Sequence, residues 1–423
     1  MSISIPNEDS EKNTELNGLQ KIATPQEQVF DHGMLCWLQV VGSFAVWANT
    51  WGLANAYGEF QVYWEQRLLQ PASQIAWIGS IQSFLILFMG FLTGSLFDAG
   101  YCRSLLIVGN LLVVLGMMLT SICSEYWQII LCQGIVTGLG FGCLFTPGVS
   151  VVSQYFVTKR QFANGIAAGG SGFGGVVYPI VLHRLAPQIG FDWAVRVVAF
   201  ITLFFGIVSI ATLRSRHASG KMRSVIAPGF FKNTPLVLYS FGLFSIVVAL
   251  YIPIVYISNY ALTYHITDPN LAFYLVPILQ AANIIGRLVP NFFADWTGPI
   301  NMTIPAMIGA AIVVYAWIAI RNQAGLLVFA VIYGIFFGTI QALGGPCIAS
   351  LAPDRRNLGR SMGMSFAIGS FGVLIGTPVG GAILGENDNF VAVQAFTGSI
   401  CVVATFFYLA SRISKAGLRW EKV

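Results

Sequence analysis

Long apolar stretches follow one another, with short polar interruptions, from about Met34 to Ile413 of a 423-residue chain. Each approaches the roughly 20 residues an α-helix needs to cross a bilayer core about 30 Å thick. Inside that core every backbone N–H and C=O must be satisfied within the protein, so only helices and closed barrels can span it. The run lengths suit helices. Composition agrees: 56% of residues are apolar and 9% charged, whereas a soluble domain carries about 25% charged residues. The predicted fold class is an all-α membrane protein.

Twelve spans are read near 36–58, 75–97, 104–123, 127–150, 162–182, 194–213, 236–257, 270–293, 301–320, 325–350, 361–384 and 391–413. The predicted organisation is a polar tail over 1–33, a six-helix bundle over 34–213, a basic loop over 214–235, a second six-helix bundle over 236–413 and a tail over 414–423. The first tail is acidic and lacks an apolar core, which predicts a disordered cytosolic segment rather than a signal peptide. With the amino terminus cytosolic, seventeen Lys and Arg fall on the inner side, among them Arg103, Lys159, Arg160, Arg214, Arg360 and Arg412. Only Arg67, Arg184, Arg196 and Arg321 fall outside. Because basic residues are retained on the cytoplasmic side, both termini are predicted cytosolic. The net charge of +5 thus reports topology, and no nucleic acid is expected. The seven cysteines form no C-x-x-C and the four histidines are scattered, so neither metal nor other cofactor is expected.

An internal repeat supports the two halves. "YFVTKRQFANGIAAGGSGFGG" (155–175) resembles "LAPDRRNLGRSMGMSFAIGSFGV" (351–373), and "GSLFDAGYCR" (94–103) pairs with "PNFFADWTG" (290–298). Halves related in this way are a transporter architecture. Gly170, Gly172 and Gly175 spell G-x-G-x-x-G, but no strand precedes them, so the dinucleotide reading fails its context. Inside a membrane helix, small residues instead let two backbones approach closely.

Several stretches in order resemble the fungal monocarboxylate-porter branch of the major facilitator superfamily. They are "DHGMLCWLQVVGSFAVWANTWGLANAYGEFQVYWE", "AWIGSIQSFL", "GSLFDAGYCRSLL", "GLGFGCLFTPGVSVVSQYF", "KRQFANGIAAGGSG" and "NIIGRLVPNFFADWTGPIN". The resemblance implies the major facilitator fold, two six-helix bundles around a central cavity that works by alternating access. It implies transport of a small organic acid or related metabolite across a fungal cell membrane, or alternatively efflux of a secondary metabolite. Two positions depart from the proton-coupled members: Asn55 stands where they carry a lysine, and Asn283 where they carry an aspartate. A carboxamide cannot carry a proton near neutrality.

Arg287 is the one charge placed deep within a span, at a cost of about 2.5–3.5 kcal/mol or more on insertion scales. Gln280, Asn283 and Arg287 share a helical face, a polar stripe suited to gripping an anionic or carbonyl-bearing substrate. Asn49, Asn55, Tyr178, Tyr251, Tyr256, Tyr333 and Gln341 are further polar groups in apolar surroundings, able to line a cavity or to bind helices together. Glu59, four residues beyond Asn55, reads as a wet interfacial carboxylate. The resemblance assigns Asp98 and Asp295 to a gate at the inner surface, with Arg103 beside the first; each aspartate would face a helix amino terminus. The predicted protein is a monomeric transporter with the bilayer and a small organic substrate as partners. A nutrient sensor would need a longer signalling tail, and a polytopic enzyme a His, Cys or carboxylate constellation.

Overall fold

The computed structural model describes residues 33–156, 159–216, 229–352, 358–385, 388–417 and 421. Most of the amino-terminal tail, the middle of the basic loop, the pair Arg355–Arg356 and half of the carboxy-terminal tail lie outside the described residues.

Among the described residues eleven helices are long and apolar enough to cross a membrane. They are α2 (Ala72–Asp98), α3 (Cys102–Thr120), α4 (Tyr126–Tyr155), α5 (Arg160–Ile189), α6 (Phe191–Thr212), α7 (Thr234–Thr263), α8 (Pro269–Thr297), α9 (Pro299–Trp317), α10 (Gln323–Leu351), α11 (Leu358–Leu384) and α12 (Phe390–Ala416). The twelfth crossing is α1, built in pieces: Met34–Trp47, a π-helical stretch Ala48–Gly52, Leu53–Asn55 and a polar extension Tyr57–Leu68. At 1.5 Å per residue this run exceeds the bilayer core, so its last segment projects beyond it.

Local chemistry sets the helix ends. The Asp268, Asn322 and Asn389 side chains accept from Leu271, Gly325 and Ala392 backbone N–H groups, satisfying donors that a helix start leaves free. Gly100 (φ 100°) and Gly298 (φ 95°) turn the chain between α2 and α3 and between α8 and α9, in the paired stretches of the internal repeat. Both need the left-handed backbone that glycine tolerates.

Helices α1–α6 pack among themselves, as do α7–α12. Among the described residues the two largest seams between the bundles are α2 on α11 and α5 on α8. Arg103, Lys159, Arg160, Arg214, Arg216, Lys232, Arg360, Arg412 and Lys415 collect at one end of the bundle, called proximal below; Arg67, Arg184, Arg196 and Arg321 lie at the distal end. Large apolar side chains such as Leu111, Phe204, Ile312 and Phe406 are exposed around the outside, as a lipid-facing surface requires.

The glycines of α5 divide between two partners. A Cβ at Gly174 would stand 2.8 Å from the Ala48 carbonyl of α1, and one at Gly170 would strike the Phe44 carbonyl. On the other face, a Cβ at Gly172 would meet Ile284 Cγ1 at 2.6 Å and the Gln280 carbonyl at 2.9 Å, and one at Gly165 the Arg287 carbonyl at 2.7 Å. Helix α5 is thus pressed against its own bundle and the opposite one at once, through backbone contacts of the kind small residues allow. Gly172→Leu is expected to wedge the α5–α8 seam apart and abolish folding or transport. Gly94→Ala, where a Cβ meets nothing within 4 Å, should change stability by less than about 1 kcal/mol. Thermal unfolding in detergent and transport by the same variants check this; saturable NAD binding lost in Gly172→Leu would contradict the packing account.

Candidate functional site

Two cavities lie between the bundles, and two aromatic rings meet where they approach each other. Trp51 of α1 and Tyr251 of α7 are stacked, with centroids 5.8 Å apart and planes at 10°. Tyr251 and Val247 line both cavities. The proximal cavity, about 120 Å³, is walled by Trp47, Trp51, Phe145 and Phe366, with Gln341, Gln161 and Asn164 as its amides. The distal cavity, about 250 Å³, is lined by Asn55, Glu59, Glu65, Ser80 and Tyr256 among others.

The π-helical stretch of α1 brings the tryptophans into place. A π-bulge adds a residue to one turn and is common at functional sites. Gly52 within it lets the α1 backbone meet Gly174 of α5.

The stripe on α8 forms a hydrogen-bonded line. Arg287 Nε donates to Asn283 Oδ1 at 2.8 Å, and Asn283 Nδ2 donates to Gln280 Oε1 at 2.7 Å. All three residues are fully buried. Arg287 Nη1 and Nη2 have no hydrogen-bond partner, nor has Gln280 Nε2. The guanidinium instead faces the Trp47 ring, 5.3 Å from its centroid, a cation–π distance. The Arg287 end of the stripe therefore sits behind Trp47, which itself walls the proximal cavity.

The remaining polar residues separate into two groups. Asn49 Nδ2 donates to the Thr202 carbonyl at 2.7 Å and to Asn110 Oδ1 at 3.3 Å, while Tyr178 Oη donates to Asn49 Oδ1 at 3.0 Å. Asn49 and Tyr178 thus bind α1, α3, α5 and α6 together. Tyr333 Oη donates to the Leu250 carbonyl at 2.8 Å and joins α10 to α7. By contrast, both amide atoms of Asn55 are buried without a partner, and the residue lines the distal cavity. Tyr251 accepts from Gln341, whose Oε1 has no partner. Glu59 also lines the distal cavity, with its side chain a quarter exposed.

At the proximal end Asp98 is half-buried in the last turn of α2; its Oδ2 lies 3.6 Å from where a Cβ at Gly359, in the first turn of α11, would stand. Asp295 is half-buried in the last turn of α8, and Arg103 is exposed at the start of α3. Trp47 and Trp51 were not singled out by sequence reasoning, since a tryptophan in an apolar helix reads as core or lipid-facing. Their spacing of four on either side of a polar Asn49 was the available signal.

Asn49→Ala should leave the Tyr178 hydroxyl unpaired, remove the bond to the Thr202 carbonyl and lower stability by about 1–2 kcal/mol. Asn55→Ala removes no hydrogen bond and should leave the melting temperature unchanged while altering transport. Parallel unfolding and flux measurements on the two variants check the division.

Comparison with known proteins extends these observations. A profile of the Major Facilitator Superfamily matches residues 37–342. The chain is 40% identical to the MFS-type transporter dbaD of Emericella nidulans, over 88% of this chain and 85% of that one. It is 37% identical to the aspyridones efflux protein apdF of the same organism, over 89% and 77% of the two chains. It is 33% identical to the agnestins efflux protein AgnL12 of Paecilomyces divaricatus, over 90% and 88%.

Proposed function

This chain belongs to the Major Facilitator Superfamily, a transporter spanning the membrane many times, and from that premise we propose that it exports a bulky, largely apolar organic metabolite bearing a carbonyl or acidic oxygen. The cargo loads from the cytosol into the proximal cavity and leaves through the distal one. The basic residues at the proximal end support placing that end, and both termini, in the cytosol.

One observation carries the reading. The proximal cavity presents aromatic walls with a few amides, and behind its Trp47 wall stands a buried guanidinium with two unpartnered nitrogens. A pocket of this kind binds through apolar contact and fixes orientation with few polar groups. Displacement of Trp47 by cargo would bare the Arg287 fork, which matches a carboxylate or enolate in two-point geometry. The efflux proteins among the relatives support export. The monocarboxylate resemblance favours a smaller acid, but Asn55 and Asn283 replace two charges of that pattern, and the ring-lined cavity favours a larger molecule. Asp98 and Asp295 would act as the proximal gate, the first against the amino terminus of α11, where a carboxylate is stabilised by the helix dipole.

Metabolite profiling of cells and medium, with and without the gene, tests the proposal. One or more aromatic or acidic metabolites should shift from medium to cells on deletion. Arg287→Lys should lower export at least about tenfold although it keeps the charge, because an ammonium does not reproduce the planar fork. Asn283→Asp places a carboxylate against Arg287 Nε and should weaken export of an acidic cargo. Unchanged export by both variants would make the stripe structural.

A further inference from the structure

We propose that Glu59, which lines the distal cavity, and His183 beside it form a proton-binding site, and that binding a proton there closes the α5–α8 seam. The energetic role given to it rests on the export reading above; the site itself does not.

The geometry ties a titratable pair to a joint between the bundles. Glu59 Oε2 lies 3.7 Å from His183 Nδ1, joining α1 to α5 within one bundle. The His183 ring is stacked on Phe273 of α8, with centroids 3.7 Å apart and planes at 11°. One residue on, Arg184 donates to the Tyr274 hydroxyl of the same helix at 2.5 Å. The distal end of the α5–α8 seam is therefore made of two adjacent α5 side chains on two adjacent α8 rings. Glu59 reaches the first of them from behind and lines the distal cavity. One turn earlier, Asn55 lines the same cavity with both amide atoms buried and unpartnered, a polar group directed at whatever enters.

The proton step is simple to write. A proton arriving from the distal side is shared between a Glu59 oxygen and His183 Nδ1, as carboxyl with imidazole or as carboxylate with imidazolium; the two forms titrate as one pair. Either form holds the imidazole ring in place. Burial and the neighbouring Arg184 disfavour the imidazolium form, so the proton resides chiefly on the Glu59 carboxyl, shared with the ring nitrogen beside it. Loss of the proton frees the ring from the carboxylate and loosens its hold on α8. Glu59 follows Met34 by 25 residues, roughly 37 Å of helix, which puts it beyond the bilayer core. Burial raises its carboxyl to about 7, so the pair would change state near neutrality. Other charged or titratable groups around it are Glu65 on the α1 extension, Arg184 on α5, Tyr256 on α7 and Tyr274 on α8. The Asp192–Arg67 pair lies farther out, at 3.6 Å.

In an exporter this order has a use. Cargo leaves through the open distal side, a proton takes the pair, the seam closes, and the empty carrier returns. Because Glu59 lies beyond the bilayer core, the proton is taken from the distal side and returned to it when the seam reopens, so the pair ties the return step to external pH without carrying charge across. Asn283 cannot supply this proton site, and Glu59 on α1 would.

Infrared titration of the full-length protein in liposomes, between about pH 5 and 9, reads the site without any cargo. Wild type should show a carboxyl C=O band that grows on acidification with a midpoint near neutrality. Glu59→Gln should lose it, Glu65→Gln should keep it, and His183→Asn should strengthen it, because the proton no longer partitions to imidazole. Glu59→Asp, a milder change, should retain the band with a displaced midpoint. In cells, export should rise as the medium is acidified in wild type and Glu65→Gln, and become independent of external pH in Glu59→Gln. A neutral-range band that survives Glu59→Gln, or one indifferent to His183→Asn, overturns the proton site. Equal pH dependence of export in wild type and Glu59→Gln overturns its coupling role. A wild type that exports nothing defeats the export reading alone, because the titration still decides the proton site.

Discussion

The close approach of α5 to two partners at once is the constraint on which the architecture rests. Lipid offers no water to drive helices together, so association depends on tight backbone packing and on polar bonds between helices. Gly170 and Gly174 admit α1, while Gly165 and Gly172 admit α8 of the opposite bundle. The same helix therefore builds the first bundle and closes it on the second. The seam is smooth, since a row of glycines presents no interlocking side chains. It is held at its distal end by His183 on Phe273 and flanked along α8 by the Gln280–Asn283–Arg287 line.

The central aromatic pair follows from this packing. With α1 drawn against α5 through Gly52 and Gly174, Trp51 faces the opposite bundle and stacks on Tyr251. One ring belongs to each bundle, so relative motion of the bundles must part or re-form the stack. Trp47, one turn earlier, covers the Arg287 guanidinium. The unpartnered nitrogens of that guanidinium are costly where they are, and the proposed grip on cargo gives that cost a use.

Much of this was legible in the sequence. The apolar runs gave the crossings, the basic residues gave two faces, and Arg287 with Asn283 and Gln280 stood out as a stripe that the structure joins by hydrogen bonds. The glycines of α5 were rightly read as packing. What could not be read was which polar residues of α1 face a cavity. Asn49 ties four helices together while Asn55 stands unpartnered in the distal cavity, and the π-helical stretch between Trp47 and Leu53 shifts the helical phase that any wheel projection assumes. Tyr178 and Tyr333 were equally ambiguous, because a hydroxyl that binds a helix to its neighbour and one that meets a substrate look alike in one dimension. The setting of Glu59 was only partly legible for a related reason. Its distance along α1 placed it near the surface, where it is a quarter exposed, but did not show that His183 of α5 would stand beside it.

The proposed transport requires the two bundles to rock about the α5–α8 seam, opening one cavity as the other closes. Electron–electron distance measurements on the full-length protein in lipid test it most directly. One pair of labels would sit at Ile189 and Asn270, at the distal ends of α5 and α8, and the other at Tyr101 and Trp296, at the proximal ends of the two bundles; all four residues are exposed. The account requires two populations in which a longer distal distance accompanies a shorter proximal one, and the reverse. Distances that stay fixed, or that lengthen and shorten together, would contradict it.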